Sequence, residues 1–186
     1  MFSFAKIATI AAFAFGTFVS AVPVEERAVE ARADTVINIL DSLNSQVAPL
    51  AAQFTTLDAS NATSAVISPI VSDISSAVQS AVSQISALPS GTTVDQTDAL
   101  TSLSTVLSTI LTPAGQVLSI PGISSAAIVP AFSPLGNALA DLVSLVLKLV
   151  AELLSVVEAT LVTLLSGLIT VIDSLNLSPL LAALGL

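Results

Sequence analysis

The chain of 186 residues contains no cysteine and no histidine, and tyrosine and tryptophan are absent as well. Without cysteine there is neither a disulfide framework nor a thiol nucleophile, and without histidine the commonest general base is missing. Positive charge is scarce, because four Lys plus Arg stand against thirteen Asp plus Glu, which gives a formal net charge of −9. Such a surface repels nucleic acid and anionic lipid head groups, so we expect neither as a partner.

Enzyme signatures are lacking too. The sequence has no GxSxG elbow, no SxxK motif and no glycine-rich phosphate loop. Asp95 and Asp98 are a close carboxylate pair, but acids are favoured in the first turn of a helix by its dipole, which explains both without catalysis. We therefore expect no enzyme activity, no catalytic or metal-binding residue and no cofactor.

The first 21 residues have the layout of a secretory signal peptide. A short positive region ends at Lys6, an apolar run covers 7–19, and Val19 and Ala21 occupy the −3 and −1 positions of a cleavage site. The run is shorter than the ~20 residues of a membrane span, which disfavours a retained anchor. We expect a secreted, extracellular protein. Residues 22–33, with three Glu and two Arg, are interpreted as an acidic pro-segment or tail, and processing after Arg27 or Arg32 stays open.

The Ser- and Thr-rich segment 34–112 carries two apolar series at spacings of three and four residues. This spacing predicts helices, because strand alternation does not produce it. The members are Val36, Leu40, Leu43, Val47, Leu50, Phe54 and Leu57, then Ile67, Val71, Ile74, Val78, Ala81, Ile85 and Leu88. We predict three antiparallel helices with short loops, near 34–57, 62–88 and 94–112.

Local signals add detail to these helices. Thr93 with Gln96 three residues later matches a capping box at the start of the third helix, and Pro113 follows its predicted end. Ser68-Pro69 fits either a helix start or a bend in the second helix. Residues 113–134, which hold four prolines, are interpreted as a linker, and Ser133-Pro134 as the N-cap and first position of the next helix.

The segment 135–186 is the most apolar part of the mature chain. At ~100° per residue, the polar residues of 137–175 share one stripe and about two thirds of the circumference is Leu, Val and Ile. Its longest uncharged run has 14 residues, too few for the ~20 of a membrane span. We predict one long helix, which is either the central helix of the bundle or keeps part of its apolar face uncovered by the narrow seams of 34–112. The predicted hydrophobic contact face comprises Leu139, Leu142, Val146, Leu149, Val150, Leu153, Val157, Leu164, Leu168 and Val171. The predicted fold is thus an all-α bundle of three amphipathic helices plus a long apolar helix.

Two N-glycosylation sequons are present. Asn61-Ala62-Thr63 falls in the predicted loop between the first two helices, where an acceptor is accessible. Asn176-Leu177-Ser178 is followed directly by Pro179, which disfavours its use.

The layout of leader, acidic segment, polar helical half and apolar half, without cysteine, resembles the secreted structural proteins of aerial hyphae in mushroom-forming fungi. The seam ADTVINILDSLNSQVAPLAAQF also resembles, more distantly, the start of fungal hydrophobic-surface-binding and cell-wall mannoprotein domains. The resemblance implies a cell-wall or matrix protein that helps hyphae to leave or attach to a wet surface.

Two functions follow as expectations. The first is a surface-active structural protein, with hydrophobic surfaces, the air–water interface or cell-wall polymers as partners. The alternative is an extracellular lipid carrier that encloses a fatty acid or sterol, which would need a closed cavity with a few polar groups. The sequence leaves self-association, and whether the chain is free or wall-bound, open.

Overall fold

The two apolar series of the polar half form the centre of a helical bundle. The computed structural model describes residues 24–89, 94–150 and 160–185, with side-chain surroundings from Val36 onward. Helix α1 spans Val24–Ala52 and continues as a 3₁₀ turn, Gln53–Thr56, while α2 spans Ser64–Ser86. Every member of both series is buried except Leu50, Leu57 and Leu88, which are half-buried. Within the described residues all regular elements are helices, which confirms the predicted all-α bundle.

Helices α1 and α3 extend beyond their predicted bounds. Helix α1 begins at Val24, inside the segment interpreted as an acidic tail, and it contains Pro49. Helix α3 spans Gln96–Leu118 and therefore passes through Pro113, so the predicted end at 112 is wrong. A proline inside a helix costs about 3 kcal/mol because it removes a hydrogen bond. The next turn of α3 buries Ala114 and Val117 completely, and this burial offsets the loss.

The start of α3 differs from the predicted capping box. The N-cap is Asp95, whose carboxylate accepts hydrogen bonds from the backbone N–H groups of Thr97 at 2.9 Å and Asp98 at 3.1 Å. Aspartate is among the strongest N-caps, and it stands immediately before the first helical residue. Thr93 lies outside the described residues. The Gln96 side-chain amide donates instead to the carbonyl oxygen of Val150 at 3.4 Å.

Residues 119–134 are mostly exposed and are held to the bundle by two buried side chains. A short helix α4, Ser125–Ile128, leads into a 3₁₀ turn, Val129–Phe132, and Ile128 and Phe132 are both buried. The Phe132 ring lies against Phe54 of the first 3₁₀ turn, with 5.7 Å between ring centroids. Helix α5, Ser133–Leu149, follows at once with Pro134 in its first turn and Phe132, not Ser133, at the N-cap position. Pro69 lies inside α2, whose N-cap is Thr63, so Ser68-Pro69 does not start that helix.

The predicted long C-terminal helix is instead several shorter ones. After α5, the described chain resumes with a helical stretch at 160–164 (α6), turns at 165–168, and forms α7, Ile169–Ser174, and α8, Ser178–Ala183. Gly167 lies in the turn, and Asn176 between α7 and α8 has a φ of 54°. Glycine weakens a helix and asparagine tolerates the left-handed region, so both favour a break. By folding back, the chain buries apolar side chains that a straight helix of about 58 Å would leave in water.

The main helices form an open ring closed by the C-terminal ones. Helix α1 packs against both α2 and α3, and α2 packs against α5, whereas α3 and α5 touch only slightly. Helix α7 lies against α3, α8 lies against α5, and α7 and α8 contact each other. Helix α5 thus packs mainly on α2 and α8 and only slightly on α3.

Candidate functional site

The predicted hydrophobic contact face begins on α5, where it points into the bundle. Leu139, Leu142 and Val146 are 0% exposed, and Val150 is 3% exposed. Leu149 is half-buried. On α5 this face is covered in the folded chain, because α2 and α8 both pack against the helix, and α8 supplies cover that the seams of 34–112 do not. In this state the α5 part of the contact face is hydrophobic core.

The remaining residues of the contact face that the structure describes are on the whole less buried than those on α5. Leu164 on α6 is 48% exposed and is one of two large apolar side chains open to solvent among the described residues, the other being Val66. Leu168 and Val171 are half-buried against the core. Leu153 and Val157 lie outside the described residues. The eight contact-face residues that the structure describes do not form one surface, because the chain turns at 165–168.

The polar stripe that the helical projection predicted is on the outside. Asn137, Asp141 and Lys148 are exposed on α5, and Ser144 between them is half-buried. Thr170 and Asp173 on α7 are exposed as well. The amphipathic character of the segment is therefore present, with its polar side in water and its apolar side in the core.

Sequence reasoning missed the residues that close the ring between α3 and α5. They belong to α7, α8 and the connection between them, and each is at most 2% exposed: Ile172, Leu175, Leu177, Leu180 and Leu184. A signal for α8 was present in the spacing of Leu177, Leu180 and Leu184 by three and four residues. Pro179, in the first turn of α8, marks where that helix begins.

Two glycines allow these closing helices to approach. A Cβ atom built on Gly115 of α3 would lie 2.7 Å from a methyl carbon of Val171 on α7. A Cβ atom built on Gly136 of α5 would lie 3.0 Å from a methyl carbon of Leu177 and 3.5 Å from its Cα atom. Both separations are at or below ordinary van der Waals contact, so the backbones of α3 and α5 are closely covered at these points.

The first sequon lies in an ordered loop between α1 and α2. Asn61 is exposed, and its side-chain oxygen accepts a hydrogen bond from the backbone N–H of Asp58 at 2.8 Å. The Asp58 carboxylate in turn accepts from the hydroxyl and backbone N–H of Ser60, and from the backbone N–H of Asn61. The Ser60 hydroxyl is the main cause that lowers the pKa of Asp58, with the two backbone N–H groups adding to it.

The second sequon lies between two short helices. Asn176 is exposed in the turn after α7, and the Ser178 hydroxyl donates to its side-chain oxygen at 3.4 Å. Ser178 and Pro179 form the first turn of α8, with Leu177 buried before them. The second sequon is thus part of the start of α8.

A polar groove of about 450 Å³ runs along α2, beside the Val129–Phe132 turn. Its lining is Ser68, Ser72, Ser75, Ser76, Gln79, Pro130, Ala131 and Pro134. The Ser75 side chain is 6% exposed and its Oγ atom has no hydrogen-bond partner. A lipid carrier encloses its ligand in a mostly apolar cavity, and this open, hydroxyl-lined groove has a different character.

The carboxylate pair at the start of α3 has a structural role. Asp95 is the N-cap and Asp98 lies in the first turn, as the sequence predicts. Among residues 24–89, 94–150 and 160–185, no group of three His, Cys, Asp or Glu side chains is placed to hold a metal ion.

Two stretches, Ser64–Ser86 and Ser125–Leu149, have the length and composition of a membrane-crossing helix. The core helices of a soluble bundle satisfy the same criteria, and 50% of the most apolar window of the second stretch is buried. The alternation of buried and exposed positions along α2 and α5 is that of bundle helices.

Comparison of the chain with family models, with curated proteins and with solved structures gives no match in any of the three. The function of the protein is therefore inferred from the geometry of the bundle.

Proposed function

We propose that this protein is a non-enzymatic, secreted amphiphile that contacts hydrophobic surfaces as a structural component of a fungal cell wall or extracellular matrix. One observation carries the proposal. The chain has a mean hydropathy of +0.97, and its folded bundle keeps that apolar material behind a thin layer of Ser, Thr, Asp and Asn side chains. For a protein so rich in apolar groups, contact with a second apolar phase lowers the free energy.

The free-energy argument rests on the size of the apolar side chains. Moving apolar surface out of water contributes about 25 cal/mol per Å², or ~1.5–3 kcal/mol for each large side chain. In the folded bundle these groups are already buried. Adsorption is therefore most favourable where apolar side chains exchange their contacts with one another for contacts with the surface, and water stays excluded throughout. Helices suit this exchange, because their backbone hydrogen bonds are internal and persist when tertiary contacts separate.

The charges support a location outside the cell at a wetted surface. The exposed acids Asp41, Asp73, Asp141 and Asp173 lie on α1, α2, α5 and α7 and keep the bundle surface hydrated, and net negative charge opposes aggregation in solution. After adsorption the same side chains would face water. The predicted leader and the Asn61 sequon agree with an extracellular, glycosylated protein.

The resemblance to aerial-hypha structural proteins supports the same assignment. It suggests that the protein coats hyphae or attaches them to hydrophobic surfaces, with cell-wall polymers as further partners. Binding of a fatty acid or sterol is the competing proposal. The two grooves found among the described residues are open and mix Ser and Gln with apolar side chains, unlike the enclosed, mostly apolar cavity of a lipid carrier.

The test is surface tension at a pendant drop of the mature protein purified from culture medium, with mass analysis of lipid in the same sample. We expect lipid-free protein to lower the tension and to form a persistent film. A tension that stays at the value of buffer would overturn the proposal. Two results together would favour the lipid carrier. One fatty acid or sterol is bound per chain, and removing that lipid leaves the surface tension unchanged.

A further inference from the structure

The closing helices lie between two helices that hardly touch each other. We call residues 169–185, which comprise α7, α8 and the turns that follow them, the C-terminal cover. Helix α7 contacts α3 and helix α8 contacts α5, whereas α3 and α5 make little direct contact. The cover is therefore what separates this side of the core from water.

The contacts that the cover makes with α3 and α5 are apolar. Val171 lies over Gly115 on α3, and Leu177 lies over Gly136 on α5. Ile172, Leu175 and Leu180 fill the space beneath and are at most 1% exposed. Apolar contacts of this kind lose little when the cover exchanges the core for another apolar phase, since water is excluded in both states.

The cover is built from elements that have little stability of their own. Helices α7 and α8 have six residues each, and helices much shorter than about 12 residues are marginal without tertiary packing. Turns precede α7 at 165–168 and separate α7 from α8 at Asn176, which has a left-handed φ of 54°. The four longer helices have 17 to 29 residues, so local opening is expected first at the cover.

The surface beneath the cover is apolar. Residues three, four and seven positions apart share a face of a helix. Leu111 and Leu118 therefore accompany Gly115 on α3, and Leu139 and Val143 accompany Gly136 on α5. Of these, Leu111, Leu139 and Val143 are completely buried. This face includes Leu139 of the predicted contact face.

We propose that the C-terminal cover detaches from α3 and α5 when the protein adsorbs, and that the apolar surface beneath it contacts the hydrophobic phase. This inference rests on the proposed function and adds to it the surface involved and the movement that exposes it. The partner is an apolar, uncharged phase such as air, wax or alkylated silica. The rest of the bundle stays folded and keeps its acids in water.

A disulfide between the cover and α5 tests the movement directly. The Cβ atom built on Gly136 lies 3.5 Å from the Cβ atom of Leu177, within the range that a disulfide needs. The chain has no cysteine, so the Gly136→Cys/Leu177→Cys variant can form one intramolecular bond. Its reduced and oxidised forms differ only in that bond, which makes the reduced form the matched control.

The experiment is depletion of each form from solution by alkylated silica particles, with helicity checked by circular dichroism. We expect the reduced form to adsorb like wild type. The affinity of the oxidised form for the particles should be lower by about tenfold or more. The burial of a single large apolar side chain corresponds to at least that factor in affinity. Equal adsorption by both forms would overturn the detachment while leaving the proposed function intact. Absence of adsorption by wild type would instead overturn the proposed function.

A second pair guards against a variant that fails to fold. The Cβ atom built on Gly115 lies 3.4 Å from the Cβ atom of Val171, and replacing Val171 by Cys removes the methyl groups that crowd Gly115. The Gly115→Cys/Val171→Cys variant fixes α7 to α3 in the same way. Its oxidised form should lose adsorption as the first pair does. A folded, oxidised second pair that adsorbs fully contradicts the inference on its own.

Discussion

At the scale of single residues, Gly115 and Gly136 set how closely the C-terminal cover approaches the bundle. Both lie on long helices at points where a closing helix crosses, and neither has a positive φ. These two positions require a residue without a side chain, and they do not require the wider range of φ angles that glycine allows. This distinguishes them from Gly122 and Gly185, whose φ angles of 88° and 74° lie in the region that other residues rarely adopt.

We therefore expect Gly115→Val to destabilise the protein by roughly 1–3 kcal/mol, the usual cost of overpacking. The β-branched Val171 opposite it has little rotamer freedom, so α7 must move away. Gly167→Val is the matched control, since a Cβ atom there meets nothing within 4 Å, and a surface substitution of this kind stays within about 0.5 kcal/mol. Urea unfolding followed by circular dichroism measures both. Equal stabilities of the two variants would contradict the close approach of α7.

The loop at Asp58 gives a prediction about pH. Because hydrogen bonds from Ser60 lower the pKa of Asp58 in the folded protein, this group stabilises the fold above its unfolded pKa. The contribution is lost as the pH falls through the lowered pKa. In Ser60→Ala the pKa should move back towards its ordinary value, because the hydroxyl is the main cause. NMR titration of the Asp58 carboxyl in both proteins measures the change, and identical titration curves would contradict this assignment.

At the scale of helices, a local signal can set where a helix starts and burial can set how far it extends. Helix α3 illustrates both, with Asp95 capping its first turn and Val117 burying its last, beyond Pro113. A cap acts within one turn and can be recognised in the sequence. Whether a proline ends a helix depends on what the following turn buries, which is a property of the folded bundle.

We expect Asp95→Ala to cost about 1 kcal/mol, the typical loss for an N-cap. Asp141→Ala is the control, because Asp141 is exposed in the middle of α5 and caps nothing, so its effect should stay within about 0.5 kcal/mol. Thermal unfolding of both variants at one pH gives the comparison. If Asp141→Ala is as costly as Asp95→Ala, the cap is not what stabilises α3.

The sequence predicts the helices of the polar half because their information is local. The series from Val36 and Ile67 repeat every three or four residues, and their members are buried in the bundle. The C-terminal part is different, since its apolar groups nearly surround the helix axis and leave the direction of packing undefined. Periodicity alone does not place the break at 165–168. Gly167 is a local signal for a bend there, but the packing of α7 against α3 and of α8 against α5 depends on the folded bundle.

The candidate site was predictable in its chemistry but not in its exposure. The contact-face residues of α5 were recognised as apolar from the spacing, and the opposite stripe at Asp141 and Lys148 as polar. Their burial depends on α8, which begins about 40 residues further along the chain than Leu139. Contacts of that separation leave no mark in the local pattern, so the sequence left open whether this face is covered or exposed.

At the scale of the whole molecule, we propose that the bundle is the closed form of an amphiphile. The ring of α3, α1, α2 and α5 supplies a stable scaffold, and the C-terminal cover closes its remaining side. Solubility in water and affinity for an apolar phase then belong to two states of one chain. Since the closed state already buries the apolar groups, the balance is set by the surface that the protein meets and not by its own charge.

The most direct test of this account is selective depletion of the mature protein by alkylated silica compared with bare silica of equal area. The account predicts depletion by the alkylated particles only, and no loss of adsorption in high salt, because apolar contacts are not screened whereas charge contacts are. Equal depletion by both particles, or adsorption that disappears as salt is added, would contradict a hydrophobic contact surface.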